Sequence, residues 1–153
     1  RALYAAELYR LCALVGFDFR ILFAQAWHET AGFTSQWWED RLNPAGIGIT
    51  GDPAQNDASH TWANGTEAAR AHVVHMAMYV LEIALPYEIA PYLPLDPRWE
   101  AVIDADYQGT VRVLGDLGNG KWATDPRICL AGKAPRIATV MAAVTTLTTI
   151  DKI

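Results

Sequence analysis

Residues 19–27 form a largely apolar stretch long enough for a buried helix, and Gly32 with Thr34 and Ser35 supplies the signal that stops it. A helix with little polar surface must be enclosed by other elements, so this stretch commits the chain to a helical body. Its partner lies upstream. Residues 2–15 place Leu3, Leu8, Leu11, Cys12 and Val15 at helical spacing, ended by Gly16, and Asp18 stands where the next helix, 19–30, needs an N-cap. The two should pack as a hairpin, with Glu29 in the last turn of the second, facing a cleft.

The remaining chain reads as further helices broken by glycine and proline. Residues 46–65 hold Gly, Asp, Asn and Pro throughout. Short β-prone pieces at 47–50 and 60–62 flank Gly51-Asp52-Pro53, which reads as a small hairpin or irregular lobe. A third helix follows Asn64-Gly65-Thr66, with Thr66 as cap and Glu67 in the first turn, and runs to about residue 85 before Pro86. Pro86, Pro91, Pro94 and Pro97 keep the next connection extended or turning. Asp96-Pro97-Arg98 opens another helix with proline at its first position, ending near Tyr107 or Gln108-Gly109. A short helix at 110–117 and a last one at about 135–150 complete the chain. With no repeat or low-complexity tract, residues 1–153 read as a single domain, mainly α, with a small lobe facing a helical body across a groove. At this length a chain buries roughly two-thirds of its unfolded surface, enough for a real core.

Charge and motif content exclude several functions. A net charge of −5 with 12 unclustered basic residues does not fit a nucleic-acid partner. The best membrane candidate, 138–150, is too short and studded with threonines, so no membrane insertion is expected. The chain begins at Arg1 without a signal peptide and reads as a processed protein or an excised domain. No metal or other cofactor is implied. His28-Glu29 lacks the second histidine that a zinc protease helix needs. His72, His75 and Tyr79 fall near one another on the third helix, as a polar wall behind the groove or as core histidines bonded to backbone. Cys12 and Cys129 allow one disulfide or two separate buried thiols, and no cysteine spacing supports a metal cluster. No nucleophile elbow or Cys/His pair supports acyl transfer.

Glu29 is the residue best placed for chemistry. The partial negative charge of a helix C-terminus disfavours its ionised form. Exclusion of water by Trp27, Phe33, Trp37 or Trp38 acts in the same direction, so the carboxyl can stay protonated near neutral pH and donate to a leaving oxygen. The structural alternative is an N-capping or ion-paired glutamate.

Three motifs then occur in order. Ala24-Gln25 with Glu29-Thr30 and Gly32-Phe33 is the first, Asn43-Pro44-Ala45-Gly46-Ile47 the second, and Lys121-Trp122-Ala123-Thr124-Asp125-Pro126 the third. Together they resemble the glucosaminidase family of peptidoglycan hydrolases, within the lysozyme-like group, over most of residues 4–127. The resemblance implies a lysozyme-like helical domain whose β-hairpin or irregular lobe flanks a substrate groove. It implies that Glu29 protonates the glycosidic oxygen of a β-1,4 bond in the glycan strand. The activity would be that of an endo-β-N-acetylglucosaminidase, with an N-acetylmuramidase as the alternative and a wall-binding module without catalysis as the reading from another class. The family's second acid usually sits on the lobe, which favours Asp57 or Asp52 over Glu39 and Asp40; the substrate's own acetamido group is the other option. Gln25, His28, Asn43, Gly46, Trp62, Tyr79, Trp122 and Asp125 make up the expected substrate-binding set. Within it Asn43 either binds a sugar acetamide or holds the turn into Gly46, and Asp125 caps or turns beneath the groove. Trp122 and Ile128 depart from the family, which has tyrosine at both positions. Trp27, Trp37, Trp38 and Trp62 serve as stacking surfaces for sugar rings or as core. The expected partner is peptidoglycan, met by a monomer that is secreted or phage-associated.

Overall fold

Tyr4, Leu8, Leu11 and Cys12 recur along one helix face, and burying that face is what sets α1 (Ala2–Val15) in place. The computed structural model describes residues 1–49, 60–82, 84–113 and 116–117 and is mainly helical. Leu3, counted toward the core from spacing alone, is exposed, and Tyr4 is buried instead. Its hydroxyl reaches a partner inside, which removes the penalty that normally keeps tyrosine at the surface. Gly16 ends the helix at φ 75, its N–H closing on the Cys12 carbonyl. Cys12 is a buried free thiol whose pKa is pushed up to about 12, first by burial and then by the charge of Asp18. Cys129 lies outside the described residues.

α2 (Phe19–Glu29) starts as the sequence leads one to expect, with the Asp18 carboxylate accepting from the Arg20 N–H at 2.9 Å. It ends on Glu29. Ser35 does more than mark the stop: it caps a further short helix, α3 (Gln36–Arg41), accepting from the Trp38 N–H. A serine three residues before that amide can nucleate a helix as readily as a turn, and this element was not anticipated.

α4 (Gly65–Val80) is the central element, with 12 of its 16 residues buried. α1 lies along it, α2 packs on α1, and a 3-10 helix η1 (Ala90–Leu95) and α5 (Trp99–Asp104) pack against α4. Asn64, not Thr66, is the cap. Asn64 Oδ1 accepts from the Glu67 N–H at 3.0 Å, and the Glu67 carboxylate accepts from the Ala63 N–H at 3.1 Å. That choice places Gly65 inside the helix, where α1 crosses so closely that a Cβ would stand 2.9 Å from Tyr4 N.

The helix stops at Val80 rather than about 85, because another part of the chain occupies its end. Gly109 and Val111 donate their N–H groups to the Met78 and Tyr79 carbonyls at 3.0 Å each. This also explains why residues 110–113 do not begin a helix. Gly109 sits at φ 63, and a Cβ there would meet Glu82 Cα at 2.6 Å. α5 is shorter than the expected 97–107. The Asp96 carboxylate accepts from the Arg98 N–H at 2.9 Å, which makes residues 96–98 a turn, and helix starts only at Trp99.

Among the described residues there is no strand. The described flanks of the expected hairpin are irregular, with Ile49 N–H returning to Gly46 O and Trp62 N–H reaching Arg41 O at 3.1 Å. Residues 50–59 and the expected helix at 135–150 lie outside the described residues. No described helix is long and apolar enough to cross a membrane.

Gly65→Ala should test the α1–α4 crossing. The added methyl must displace backbone, not a flexible side-chain end, so unfolding in urea should show a loss of about 1–3 kcal/mol. An unchanged midpoint would mean the helices do not meet there.

Candidate active site

The end of α2 is built by Thr30. Its hydroxyl donates to the Ala26 carbonyl at 2.6 Å and accepts from the Phe33 N–H at 2.9 Å, while its carbonyl accepts from Thr34 and Ser35 N–H. Between these anchors Ala31, Gly32 and Phe33 all adopt left-handed conformations, at φ 50, 73 and 62. For the two non-glycine residues this costs on the order of 1–2 kcal/mol each. Phe33 recovers it. Its buried ring meets Tyr4, Phe23, Trp27 and Trp38 with centroids 4.7 to 5.9 Å apart, and burial of such a side chain stabilises by about 1.5–3 kcal/mol before any ring pairing is counted. Arg1 adds a clamp, donating from Nη2 to the Phe33 carbonyl at 2.6 Å. Trp27 roofs the turn so closely that a Cβ on Gly32 would lie 3.3 Å from its ring.

Glu29 stands immediately before this turn, half-buried, with Oε1 withdrawn from solvent. It occupies the last position of α2, at the negative end of the helix dipole. The four aromatic residues expected around it divide by role. Phe33 and Trp38 are buried support, whereas Trp27 and Trp37 remain 39% and 37% exposed.

One turn before Glu29, and on the same face of α2, Gln25 joins a buried polar chain. Gln25 Oε1 accepts from His72 Nε2–H at 3.1 Å, and Tyr4 O–H donates to His72 Nδ1 at 2.7 Å. The network assigns the imidazole proton to Nε2. Burial, followed by the nearby charge of His75, lowers the His72 pKa to about 3, so the ring is neutral. Burial likewise raises the Tyr4 pKa well above its ordinary value. A second pair lies further along α4. His75 Nδ1 is 2.9 Å from Asp96 Oδ2, both residues are buried, and the His75 ring stands edge-on to Tyr79 at 5.2 Å. Burial raises the Tyr79 pKa to about 12.

The expected binding residues separate accordingly. Gln25 and Tyr79 lie in or beside these polar contacts, and His28 and Gly46 are exposed. Asn43 is buried and holds the turn: Nδ2 donates to Ile47 O at 3.0 Å, and Oδ1 accepts from Ala45 and Ile47 N–H. Trp62 is core rather than a stacking surface, its indole N–H donating to Leu95 O at 3.0 Å, and Trp38 is core as well. Glu39 and Asp40 are exposed on α3. Asp52, Asp57, Trp122 and Asp125 lie outside the described residues.

Sequence reading left the two histidines open between a polar wall behind the groove and core residues bonded to backbone, and missed Tyr4 and Asp96 as their side-chain partners. The available signal was chemical: two histidines inside an otherwise apolar helix each require a polar partner. Among the described residues no group of three His, Cys, Asp or Glu could hold a metal ion. Family models, curated proteins and solved structures give no match to this chain.

The neutral state of His72 has a pH signature. An unfolded chain protonates this residue as pH falls through about 6.5, whereas the folded chain resists until about 3, so the unfolded state binds more protons in between and acid destabilises the fold. From pH 7 to 4.5 this one residue should remove about 2–3 kcal/mol, read from urea unfolding at each pH. His72 ring resonances in NMR spectra should stay at neutral positions over that range. Titration near pH 6 would contradict the buried pairing.

Proposed function

We propose that this protein is a peptidoglycan hydrolase that cleaves β-1,4 glycosidic bonds of the glycan strand, acting as an endo-β-N-acetylglucosaminidase with Glu29 as general acid. The observation that carries the reading is the setting of Glu29: the last residue of α2, one carboxylate oxygen withdrawn from solvent, followed by a strained turn under an exposed tryptophan. A carboxyl held at a helix C-terminus and partly desolvated suits proton donation to a departing sugar oxygen. The three ordered motifs that resemble the glucosaminidase family support the same reading, as does the mainly helical body.

In this reading the domain is lysozyme-like, and the segment that carries Asp52 and Asp57 supplies the lobe across the groove. Asp57 or Asp52 on that lobe, or the substrate's acetamido group, stabilises the oxocarbenium-like transition state opposite Glu29. His28, Gly46 and Trp122 contact the glycan directly. Gln25, Asn43, Trp62, Tyr79 and Asp125 support the groove from behind. The protein works on cell wall as a monomer, secreted or phage-associated.

Glu29→Gln keeps the shape of the side chain and removes its acid. Clearing of a cell-wall suspension should fall by about 10²–10⁴-fold while the thermal melt stays unchanged. Equal clearing by both proteins, or wall binding without clearing by either, overturns the enzyme assignment. Mass spectrometry of released, borohydride-reduced muropeptides identifies the bond: reduced glucosamine ends are expected, and reduced muramic ends would make the protein a muramidase.

A further inference from the structure

α3 carries two residue pairs at i,i+4 spacing, Gln36 with Asp40 and Trp37 with Arg41, and with Thr61 they line an open pocket of about 300 Å³. The pocket lies on the element that directly follows the turn beside Glu29. Trp38 faces inward and packs edge-on against Phe33 at 4.7 Å, so its neighbour Trp37 is turned out to the surface. Trp37 is not loose there. The Arg41 guanidinium stacks over its ring at 5.0 Å, which restrains the indole before any ligand arrives. The backbone bond from Trp62 N–H to Arg41 O holds Thr61 beside the helix.

The chemistry of this lining selects a ligand class. An exposed indole offers a flat apolar face of the kind that packs on the C–H side of a pyranose. The Asp40 carboxylate accepts from hydroxyl or amide N–H groups, the Gln36 amide both donates and accepts, and Thr61 adds a hydroxyl. Asp40 and Arg41 oppose each other in charge. The lining therefore carries no net charge to favour an anion or a cation, and a neutral ring rich in hydroxyl and amide groups matches its donors and acceptors. Its volume sits at the small end of ligand pockets, fitting a single sugar residue.

We propose that this pocket is a glycan subsite, separate from the Glu29 carboxyl, that binds one N-acetylhexosamine unit of the strand by stacking on Trp37 and hydrogen bonding to Asp40 and Gln36. It rests on the reading of the glycan strand as ligand and adds the means by which α3 holds that strand beside the bond to be broken.

The probe is a β-1,4-linked N-acetylglucosamine tetramer, titrated into Glu29→Gln protein so that the ligand stays intact. In nitrogen–proton NMR spectra the Trp37 indole signal should shift, while those of buried Trp38 and Trp62 stay in place. Adding Trp37→Ala or Asp40→Asn should weaken binding about 10-fold, equivalent to about 1.4 kcal/mol, without changing the melt. In otherwise wild-type protein, Trp37→Ala should raise KM and leave kcat nearly unchanged. A tetramer that does not bind, or that binds equally with or without the Trp37 side chain, overturns the subsite. Should Trp37→Ala fail to fold, the Trp37 indole shift and Asp40→Asn decide the matter. Wild-type activity in Glu29→Gln would sink the catalytic reading instead, and the subsite would then be decided by whether Trp37→Ala raises KM in otherwise wild-type protein.

Discussion

Three helices meet through two hydrogen bonds: Tyr4 of α1 donates to His72 of α4, and His72 donates to Gln25 of α2. Each group is withdrawn from water to a degree that makes a missing partner costly, about 1–3 kcal/mol per orphaned polar atom. The contact therefore allows one rotation and one height for each helix. Apolar packing alone would tolerate sliding, because a row of alanines and valines such as that on α4 looks much the same one turn along. Through Gln25 this constraint reaches Glu29, which lies one turn later on the same helix face.

The turn after Glu29 depends on the same tyrosine from its other side. Tyr4 packs against both Phe33 and Trp38, and Phe33 is the residue whose burial offsets three successive left-handed conformations. Without that anchor the chain would relax to ordinary backbone angles, and Glu29 would lose its fixed position at the helix end. Thr30 contributes by occupying donors and acceptors on both sides of the break. The strain is local, and the force opposing it is spread across the hydrophobic core.

A second buried pair, His75 with Asp96, ties α4 to the segment between η1 and α5. Asp96 also accepts from the Arg98 N–H, so one carboxylate joins two elements and begins a turn. Together with the Gly109 and Val111 bonds to the end of α4, it explains how so many prolines and turns are accommodated around a single central helix. Among the described residues, buried Thr30 and Asn43 hold turns, while His72, His75 and Asp96 join elements to one another.

Short-range chemistry determined what could be read directly from the residues. Gly16 as a stop, Asp18 as a cap, the extent of α1 and α2 and the position of Glu29 in the last turn depend on atoms within about four residues of one another, and those relations hold whatever packs outside. Tertiary structure decided the rest. It chose Tyr4 over Leu3 by supplying a partner for the hydroxyl. The close crossing of α1 requires glycine at position 65, inside the helix that Asn64 caps. Residues 110–113 were kept from a helix because the Tyr79 carbonyl needed the Val111 N–H. Trp38 and Trp62 went into the core and Trp37 to the surface, a distinction that composition and spacing could not make. Which face of a tryptophan meets water depends on which helix arrives beside it, and that is settled by contacts across the chain.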